Sequence, residues 1–276
     1  MTGGAELVRL ERVGEVAEIV FDAPPVNQLS PPFIDGLEAA IAGAAGARAV
    51  VLVSAVDRVF MAGGDIEFMA NGPIDEQEGY VRRLQSVFHE LERLPAPVVV
   101  GIDGAALGGG TEISLACDIR IAAADATMGL PEVTLGIFPG GGGTQRLARS
   151  VGHTVAMDLM MSGRRISGEE AGRIGLVSRV VGSGEATAAA RALAAELAAG
   201  ATEAIRAIKK LSAASFDTPP LAGFANEAWA WGRVRESANA QEGLSAFLER
   251  RKPSFGAPAP PGPEPGNLGQ PTTRSE

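Results

Sequence analysis

A run of three glycine residues followed by a glutamate is the most chemically suggestive feature of this 276-residue sequence. Gly108-Gly109-Gly110 stands between a predicted strand and a predicted helix that begins with Thr111-Glu112. Glycine lets a ligand approach the backbone closely, and the first N–H groups of a helix lack internal partners and lie at the positive end of its dipole. A peptide N–H at Gly109 could therefore stabilise an oxyanion, with Glu112 on the same helix face. The residues are equally consistent with a turn that only permits tight helix–sheet packing.

A second glycine pair, Gly63-Gly64, follows a predicted buried strand and precedes Asp65. We expect this segment to open a short helix and to offer a second set of free N–H groups. An aspartate in such a position is most often the helix N-cap, whose side chain accepts a hydrogen bond from the first turn. The sequence thus contains two segments with unpaired backbone donors.

Glu132 is a third candidate for chemistry, because it lies in an apolar stretch after Leu130-Pro131. An unpaired buried charge is costly, so burial would raise the pKa of this carboxyl group and suit it to donate a proton. The alternative is a loop glutamate that the bend at Pro131 exposes to solvent. The residues alone favour this second interpretation.

Several classes of enzyme are excluded by motifs that the sequence lacks. None of the glycine clusters, including the one at residues 140–143, has the phosphate-loop pattern, and no Gly-x-Gly-x-x-Gly follows the first predicted strand. His89 and His153 are far apart and have no partnered Ser or Cys motif, and no serine lies in a Gly-x-Ser-x-Gly elbow. The sequence therefore argues against a nucleotide hydrolase, a dinucleotide dehydrogenase and a triad hydrolase.

Composition and charge restrict the partners and the location. The formal charge is −9 and no run of Lys and Arg occurs, so we expect no nucleic acid to bind. Cys117 is the only cysteine, which excludes an intramolecular disulfide and a Cys-based metal site, and we expect it in the core. No basic leader precedes an apolar stretch and no segment is apolar for roughly 20 residues. We therefore expect a cytoplasmic protein without a membrane partner or a bound metal.

The elements that must position these residues alternate between strand and helix. Predicted strands cover residues 16–22, 49–54, 98–102 and 119–122, and predicted helices cover residues 30–45, 75–93, 111–117, 185–215 and, as two helices, 220–250. This alternation predicts an α/β fold with parallel strands. We predict a core at residues 1–200, a C-terminal helical region at residues 201–256 and a disordered Pro/Gly-rich tail at residues 257–276.

The most specific feature is a combination of six segments in one order. They lie at residues 62–66, residues 104–112 with 117–118, and residues 130–132, 136–147, 171–177 and 242–252. Together they resemble the crotonase superfamily, which comprises the enoyl-CoA hydratases and isomerases. The similarity covers residues 7 to about 255. Each segment alone is weakly specific, whereas six in register are highly specific.

The resemblance implies a fold and an oxyanion hole. Members of the superfamily fold as a crotonase-like spiral of ββα units with a C-terminal helical trimerisation region, and they assemble as homotrimers or dimers of trimers. The N–H groups at the positions of Gly64 and Gly109 form the oxyanion hole, and the residues at the positions of Glu112 and Glu132 carry the acid–base chemistry of the hydratases. Gly64 stands where alanine is common in hydratases, but only its N–H is needed.

The resemblance also implies the contacts of coenzyme A. The backbone near Val26 and the segment that contains Ala62, Gly64, Asp65 and Ile66 would meet the adenine and pantetheine groups. Phe247 and Lys252 would contact coenzyme A from the C-terminal helix or from a neighbouring subunit, and Gly109 would meet the thioester. Coenzyme A would be part of the substrate, so no separate cofactor is expected.

The presence of both glutamates favours one reaction within the superfamily. Isomerases often keep a carboxylate only at the second position or elsewhere, and other members usually replace at least one. Glu112 and Glu132 together therefore imply an enoyl-CoA hydratase of fatty acid or related acyl-CoA degradation, such as β-oxidation. The alternatives are a Δ3,Δ2-enoyl-CoA isomerase, another crotonase-family CoA lyase, and a non-catalytic acyl-CoA-binding scaffold.

Overall fold

Short runs of β-branched and apolar residues form the strands of the protein, whose computed structural model describes residues 7–256. In chain order the strands of this part are β1 (Val8–Val13), β2 (Val16–Phe21), β3 (Ala49–Ser54), β4 (Val59–Ala62), β5 (Val98–Ile102), β6 (Ala105–Leu107), β7 (Ile119–Ala123), β8 (Thr127–Gly129), β9 (Ile166–Ser167) and β10 (Arg179–Val181). One sheet has the order β1-β2-β3-β5-β7-β10, and a smaller sheet has the order β4-β6-β8-β9. The predicted tail at residues 257–276 lies outside the described residues.

The helices follow the strand pairs and then continue alone toward the C-terminus. They are α1 (Pro31–Gly43), α2 (Ile66–Asn71), α3 (Ile74–Arg93), α4 (Gly109–Leu115), α5 (Gly143–Val151), α6 (His153–Ser162), α7 (Gly168–Arg173), α8 (Ala186–Ala198), α9 (Thr202–Ala214), α10 (Pro220–Arg235) and α11 (Ala238–Leu248), with a 3₁₀ helix at Pro131–Leu135. No helix between residues 7 and 256 is long and apolar enough to cross a bilayer.

The predicted spiral of ββα units is confirmed by the way the strands alternate between the sheets. The pairs β3/β4, β5/β6 and β7/β8 each contribute one strand to the large sheet and one to the small sheet, and helical segments follow each pair. Neighbouring strands in both series run parallel. The carboxyl ends of β4, β6 and β8 therefore meet at one edge of the small sheet, where the two glycine segments and Glu132 follow directly.

The middle strands of the large sheet are buried on both faces, as their continuous apolar runs predict. Val50 and Leu52 face the main core, whereas Val51 and Val53 pack with the alanine-rich helix α8. A methyl group at Gly101 would come within 2.8 Å of the Ala186 carbonyl oxygen, so a glycine in β5 permits this close approach. The two layers hold the small sheet and its edge in place.

The structure adds strands that were not predicted, namely β4, β6, β8 and β9 of the small sheet and the edge strands β1 and β10 of the large sheet, and it corrects one predicted helix. Strand β1 was not predicted, because only Val8 of this edge strand is buried and charged residues break the apolar pattern. The single helix predicted at residues 185–215 is wrong, since α8 and α9 are separate helices. Ala201 adopts an extended conformation (φ −74°, ψ 91°), which no continuous α-helix allows. The domain boundary at residue 200 stays a prediction.

Candidate active site

Gly64 lies in the turn between β4 and α2. Its neighbour Gly63 has a positive φ of 92°, which favours glycine. Asp65 caps α2, as its position in the sequence predicts, because its side chain accepts a hydrogen bond from the Phe68 N–H at 3.0 Å. Gly64 pairs with Leu29 as an isolated parallel bridge, yet no hydrogen bond between described residues uses the Gly64 N–H.

Gly109 is the first residue of α4 and follows a sharp turn at Gly108, whose φ is 57°. The Gly109 N–H likewise has no acceptor within residues 7–256. A methyl group at Gly110 would meet the Met61 carbonyl oxygen at 2.1 Å, so the helix can approach β4 only because a glycine stands there. This close approach brings α4 beside the Gly63-Gly64 turn, where Gly63 Cα lies 3.9 Å from a Cβ placed on Gly108.

Glu112 is buried on α4 and is held by the third glycine cluster. It is 4% exposed, and its Oε1 accepts a hydrogen bond from the Gly143 N–H at 2.8 Å. Burial raises the pKa of Glu112 to about 7, the Glu132 charge adds to the rise, and the Gly143 bond, the Gly141 backbone and the Arg146 charge oppose it. At neutral pH the carboxyl group can therefore both accept and release a proton.

Glu132 begins the 3₁₀ helix that follows β8. Its side chain is half-buried, its Oε2 is shielded from solvent without a hydrogen-bond partner, and its Oε1 lies 3.0 Å from a Cβ placed on Gly108. Burial raises the pKa of this carboxyl group. The interpretation that the residues alone favoured, a glutamate exposed by the bend at Pro131, is therefore wrong. The glutamate instead points toward the glycine turn before α4.

Residues 140–143 lack the phosphate-loop pattern and lie in one of the six segments of the resemblance, and the structure places them around Glu112. A methyl group at Gly141 would lie 2.7 Å from Glu112 Oε2, and one at Gly143 would lie 3.0 Å from Glu112 Oε1. Arg146 of α5 donates to the Gly141 carbonyl oxygen at 3.2 Å and forms an ion pair with Glu92 at 2.9 Å. The glycines leave room for the carboxylate, and the ion pair holds their loop against α3.

Tyr80 was also missed, because nothing in its helical spacing separates it from ordinary core residues. Its hydroxyl donates to the Leu29 carbonyl oxygen at 2.7 Å. Burial raises the pKa of Tyr80 to about 12, although the Asp65 backbone opposes the shift. The phenol therefore stays protonated at physiological pH and lies 3.4 Å from a Cβ placed on Gly64.

The remaining predicted binding residues divide into two groups. The Val26 carbonyl oxygen accepts a hydrogen bond from the Ala62 N–H at 2.9 Å, so this backbone lies directly beside the Gly64 turn, and Ile66 is exposed there. Phe247 is 80% exposed on α11, and Lys252 follows that helix in an exposed segment. Neither Phe247 nor Lys252 has a described contact with the glutamates, and their predicted role stays a prediction.

The arrangement combines unpaired backbone donors with two carboxyl groups of raised pKa. Donors at Gly64 and Gly109 can stabilise negative charge that develops on a carbonyl oxygen. Glu112 and Glu132 interact electrostatically, because the charge of Glu132 contributes to the raised pKa of Glu112. Such a site is suited to move protons next to a stabilised enolate.

Comparisons with known proteins agree with this geometry. The model of the enoyl-CoA hydratase/isomerase family matches residues 11–258. A probable enoyl-CoA hydratase of Bacillus subtilis is 39% identical over 247 residues, which are 87% of this chain and 95% of the relative. The mitochondrial methylglutaconyl-CoA hydratase of Mus musculus is 39% identical over 212 residues, 75% of this chain and 68% of the relative. The crystal structure of an enoyl-CoA hydratase from Bacillus anthracis has a TM-score of 0.85 at 35% identity and covers 90% of this chain and 98% of that one.

The chain therefore belongs to the enoyl-CoA hydratase/isomerase family, and it has the crotonase fold that the six segments predict. It is an enzyme of the hydro-lyase type.

Proposed function

We propose that the protein adds water reversibly to a trans-2-enoyl-CoA and so forms a 3-hydroxyacyl-CoA. The observation that carries the proposal is the placement of two carboxyl groups of raised pKa, Glu112 and Glu132, at the sheet edge that also bears the unpaired N–H donors. Hydration needs a base for water, an acid for the α-carbon and stabilisation of the thioester oxygen, and this cluster offers one group for each task.

The Gly64 and Gly109 N–H groups would bind the thioester carbonyl oxygen. Negative charge grows on this oxygen as water attacks C3, so the donors favour the enolate-like transition state over the bound substrate. Loss of one such donor costs roughly 3–4 kcal/mol in comparable sites. The position of Gly109 supports this role, because it is the first residue of α4 and the first N–H groups of a helix have no acceptor within that helix.

Glu112 would act as the base and Glu132 as the acid. Glu112 removes a proton from water while the hydroxyl oxygen bonds to C3, and Glu132 holds that water and delivers a proton to C2. The net change is H and OH added across the double bond, with both carboxyl groups restored by proton exchange. The Gly143 hydrogen bond to Glu112 Oε1 favours the ionised form that a base requires.

Coenzyme A would be held as part of the substrate by the backbone near Val26 and by Ala62, Asp65 and Ile66. This placement is supported by the hydrogen bond that joins Val26 to Ala62 next to Gly64. Phe247 and Lys252 would reach coenzyme A from the C-terminal region or from a neighbouring subunit. No separate cofactor or metal is proposed.

Incubation with crotonyl-CoA, longer 2-enoyl-CoAs and 3-methylglutaconyl-CoA tests the proposal, with loss of the conjugated thioester absorbance as the readout. Hydration of at least one chain length is expected, and no turnover on any of them would refute it. A 3-enoyl-CoA substrate is the companion assay, since a protein that converts it to the 2-enoyl isomer without hydrating either would be an isomerase. Binding of acyl-CoA without any turnover would instead support the scaffold interpretation.

We also propose that the protein assembles as a homotrimer or a dimer of trimers. The proposal is supported by large apolar side chains that the single chain leaves exposed on its C-terminal helices, namely Leu221, Phe224, Trp231, Phe247 and Leu248. Helix α10 has no buried residue at all. Light scattering after size-exclusion chromatography should give a trimer or hexamer mass, and Trp231→Glu should lower it. A wild-type monomer at micromolar concentration would contradict the proposal.

A cytoplasmic location and a place in acyl-CoA degradation complete the proposal. The Bacillus subtilis relative is bacterial, whereas the names of the Arabidopsis thaliana and Homo sapiens relatives place them in mitochondria. Cell fractionation with an antibody against the protein distinguishes these locations. Recovery in a membrane or organelle fraction would contradict the proposed cytoplasmic location.

A further inference from the structure

Leu29 touches both of the glycines to which the oxyanion donors are assigned. Its backbone pairs with Gly64, and its N–H reaches the Gly63 carbonyl oxygen at 3.4 Å. Its side chain lies so close to Gly109 that a methyl group there would meet Leu29 Cδ1 at 2.3 Å. Leu29 is only 1% exposed, so it has no room to move away from either contact. One residue thus sets the spacing between the two segments.

Tyr80 in turn fixes Leu29. Its hydroxyl donates to the Leu29 carbonyl oxygen at 2.7 Å, and it lies 3.4 Å from a Cβ placed on Gly64. Tyr80 is 8% exposed, and its ring packs against Phe68 with the two ring centroids 5.7 Å apart. Removal of the hydroxyl alone would leave the ring in place and the Leu29 carbonyl oxygen without this donor.

The segment that carries Gly64 needs such an anchor. Helix α2, which follows Gly64 directly, contains no buried residue, and Ile66 in its first turn is exposed. The Gly109 side, by contrast, belongs to α4, in which every residue is buried. Of the two donors, Gly64 is therefore the one whose position depends on contacts made by other segments.

We propose that Tyr80 is a positioning residue of the oxyanion hole, whose hydroxyl holds Leu29 and thereby fixes the Gly64 N–H relative to the Gly109 N–H. The inference rests on the proposed function, because it presupposes that both N–H groups bind the thioester oxygen. Donors act best at about 2.7–3.1 Å from the developing oxyanion, so a shift of Gly64 by a few tenths of an ångström weakens transition-state binding more than substrate binding.

The test compares wild type with Tyr80→Phe in two measurements. With crotonyl-CoA, kcat should fall by about tenfold or more while KM changes by less than about threefold. The second readout is the absorption of bound 4-dimethylaminocinnamoyl-CoA, a push–pull chromophore whose band moves to longer wavelength when its carbonyl oxygen accepts hydrogen bonds. A smaller red shift in Tyr80→Phe is expected, and this spectrum would not respond to a merely structural loss elsewhere. Unchanged kcat and an unchanged red shift would overturn the proposal.

Two further variants keep the result interpretable. Leu29→Met conserves volume and the carbonyl acceptor but changes the contact with Gly109, so it should also lower kcat and the red shift. If Tyr80→Phe does not fold, wild-type values in Leu29→Met overturn the proposal. Ser178→Ala, which removes a hydroxyl that donates to the Arg120 carbonyl oxygen at 3.0 Å, is the matched control and should behave as wild type. If the wild-type protein neither hydrates crotonyl-CoA nor shifts the absorption band of the bound chromophore, the proposed function itself is refuted. If wild type is active and the variants have the same kcat and red shift, only the role of Tyr80 is refuted.

Discussion

Replacement of Glu112 by glutamine is expected to make the protein less active and, above neutral pH, more stable. The side chain is 4% exposed, and burial raises its pKa from 4.5 to about 7. The difference is about 2.5 pKa units, which corresponds to roughly 3 kcal/mol of folding free energy when the group is ionised. A glutamine carries no charge, and its amide oxygen can still accept the Gly143 N–H. Most of this penalty should therefore disappear in the variant.

The pH dependence follows from the direction of the shift. Because the folded protein holds the Glu112 proton more tightly than the unfolded chain, its stability falls as the pH rises from the unfolded pKa of 4.5 through the folded pKa of about 7. The penalty is absent below this range and complete above it. Glu112→Gln should match wild type at about pH 4.5 and exceed it by about 1–3 kcal/mol at about pH 8, where the lower figure allows for an unpaired amide N–H.

Urea unfolding followed by circular dichroism at the two pH values measures this difference, and the hydratase assay measures activity. Loss of a general base typically lowers kcat by about 10²–10⁴-fold. Glu196→Gln on the exposed face of α8 is the control and should change neither stability nor activity. A stability difference that is the same at both pH values, or a variant that is less stable at pH 8, would refute the reasoning from burial.

Three further predictions concern the same carboxyl groups. Glu132→Gln should fold normally and lose about 10²-fold or more in kcat, since no acid would protonate C2; near wild-type turnover would remove Glu132 from the mechanism. The wild-type kcat/KM should decline as the pH falls below about 7, where Glu112 becomes protonated. Arg146→Gln should move this decline to higher pH, because the Arg146 charge lowers the pKa of Glu112. A pH profile that is the same in the variant and in wild type would contradict this role of Arg146. Gly143→Ala places a methyl group 3.0 Å from Glu112 Oε1 and 2.9 Å from Leu130 Cδ1, so it should lower kcat about tenfold or more. Gly223→Ala on α10 is the control and should leave kcat unchanged, because a methyl group there meets nothing within 4 Å. Equal activity of the two variants would show that the loop at residues 140–143 adapts to the methyl group.

The elements that were predicted from the sequence are those whose own residues decide their structure. Strands β3 and β5 are continuous apolar runs and were found with their bounds, because such runs need burial on both faces. Strand β1 was missed because it gains its structure from pairing with β2 and buries only Val8. The break between α8 and α9 was missed because the alanine-rich composition continues across residues 199–201, although Gly200 is a common helix-ending signal. The local sequence pattern therefore sufficed to predict the interior strands of the large sheet, but not its edge strand or the ends of the helices.

The site was less accessible to sequence reasoning because its geometry depends on long-range contacts. Glu112 and Gly143 are 31 positions apart, and no local pattern couples a glutamate to a later glycine. The burial of Glu132 depends on the parallel pairing of β8 with β6, which brings its carboxyl group to the turn at Gly108. Only the family resemblance, which rests on six segments in one order, predicted from the sequence that the two glutamates lie at one site.

The glycine clusters also explain how the site accommodates two carboxyl groups of raised pKa. Each buried carboxyl lies where a side chain is missing: Glu132 Oε1 is 3.0 Å from a Cβ placed on Gly108, and Glu112 Oε2 is 2.7 Å from one placed on Gly141. The same missing side chains let peptide N–H groups come close enough to donate hydrogen bonds to a carboxylate oxygen, as the Gly143 N–H does to Glu112 Oε1. A site of this kind is destabilising in isolation, because desolvation raises the pKa of both acids. It persists because the small sheet that carries β4, β6 and β8 packs beside the large sheet, whose middle strands are buried on both faces, so the packing of the core offsets the cost of the site.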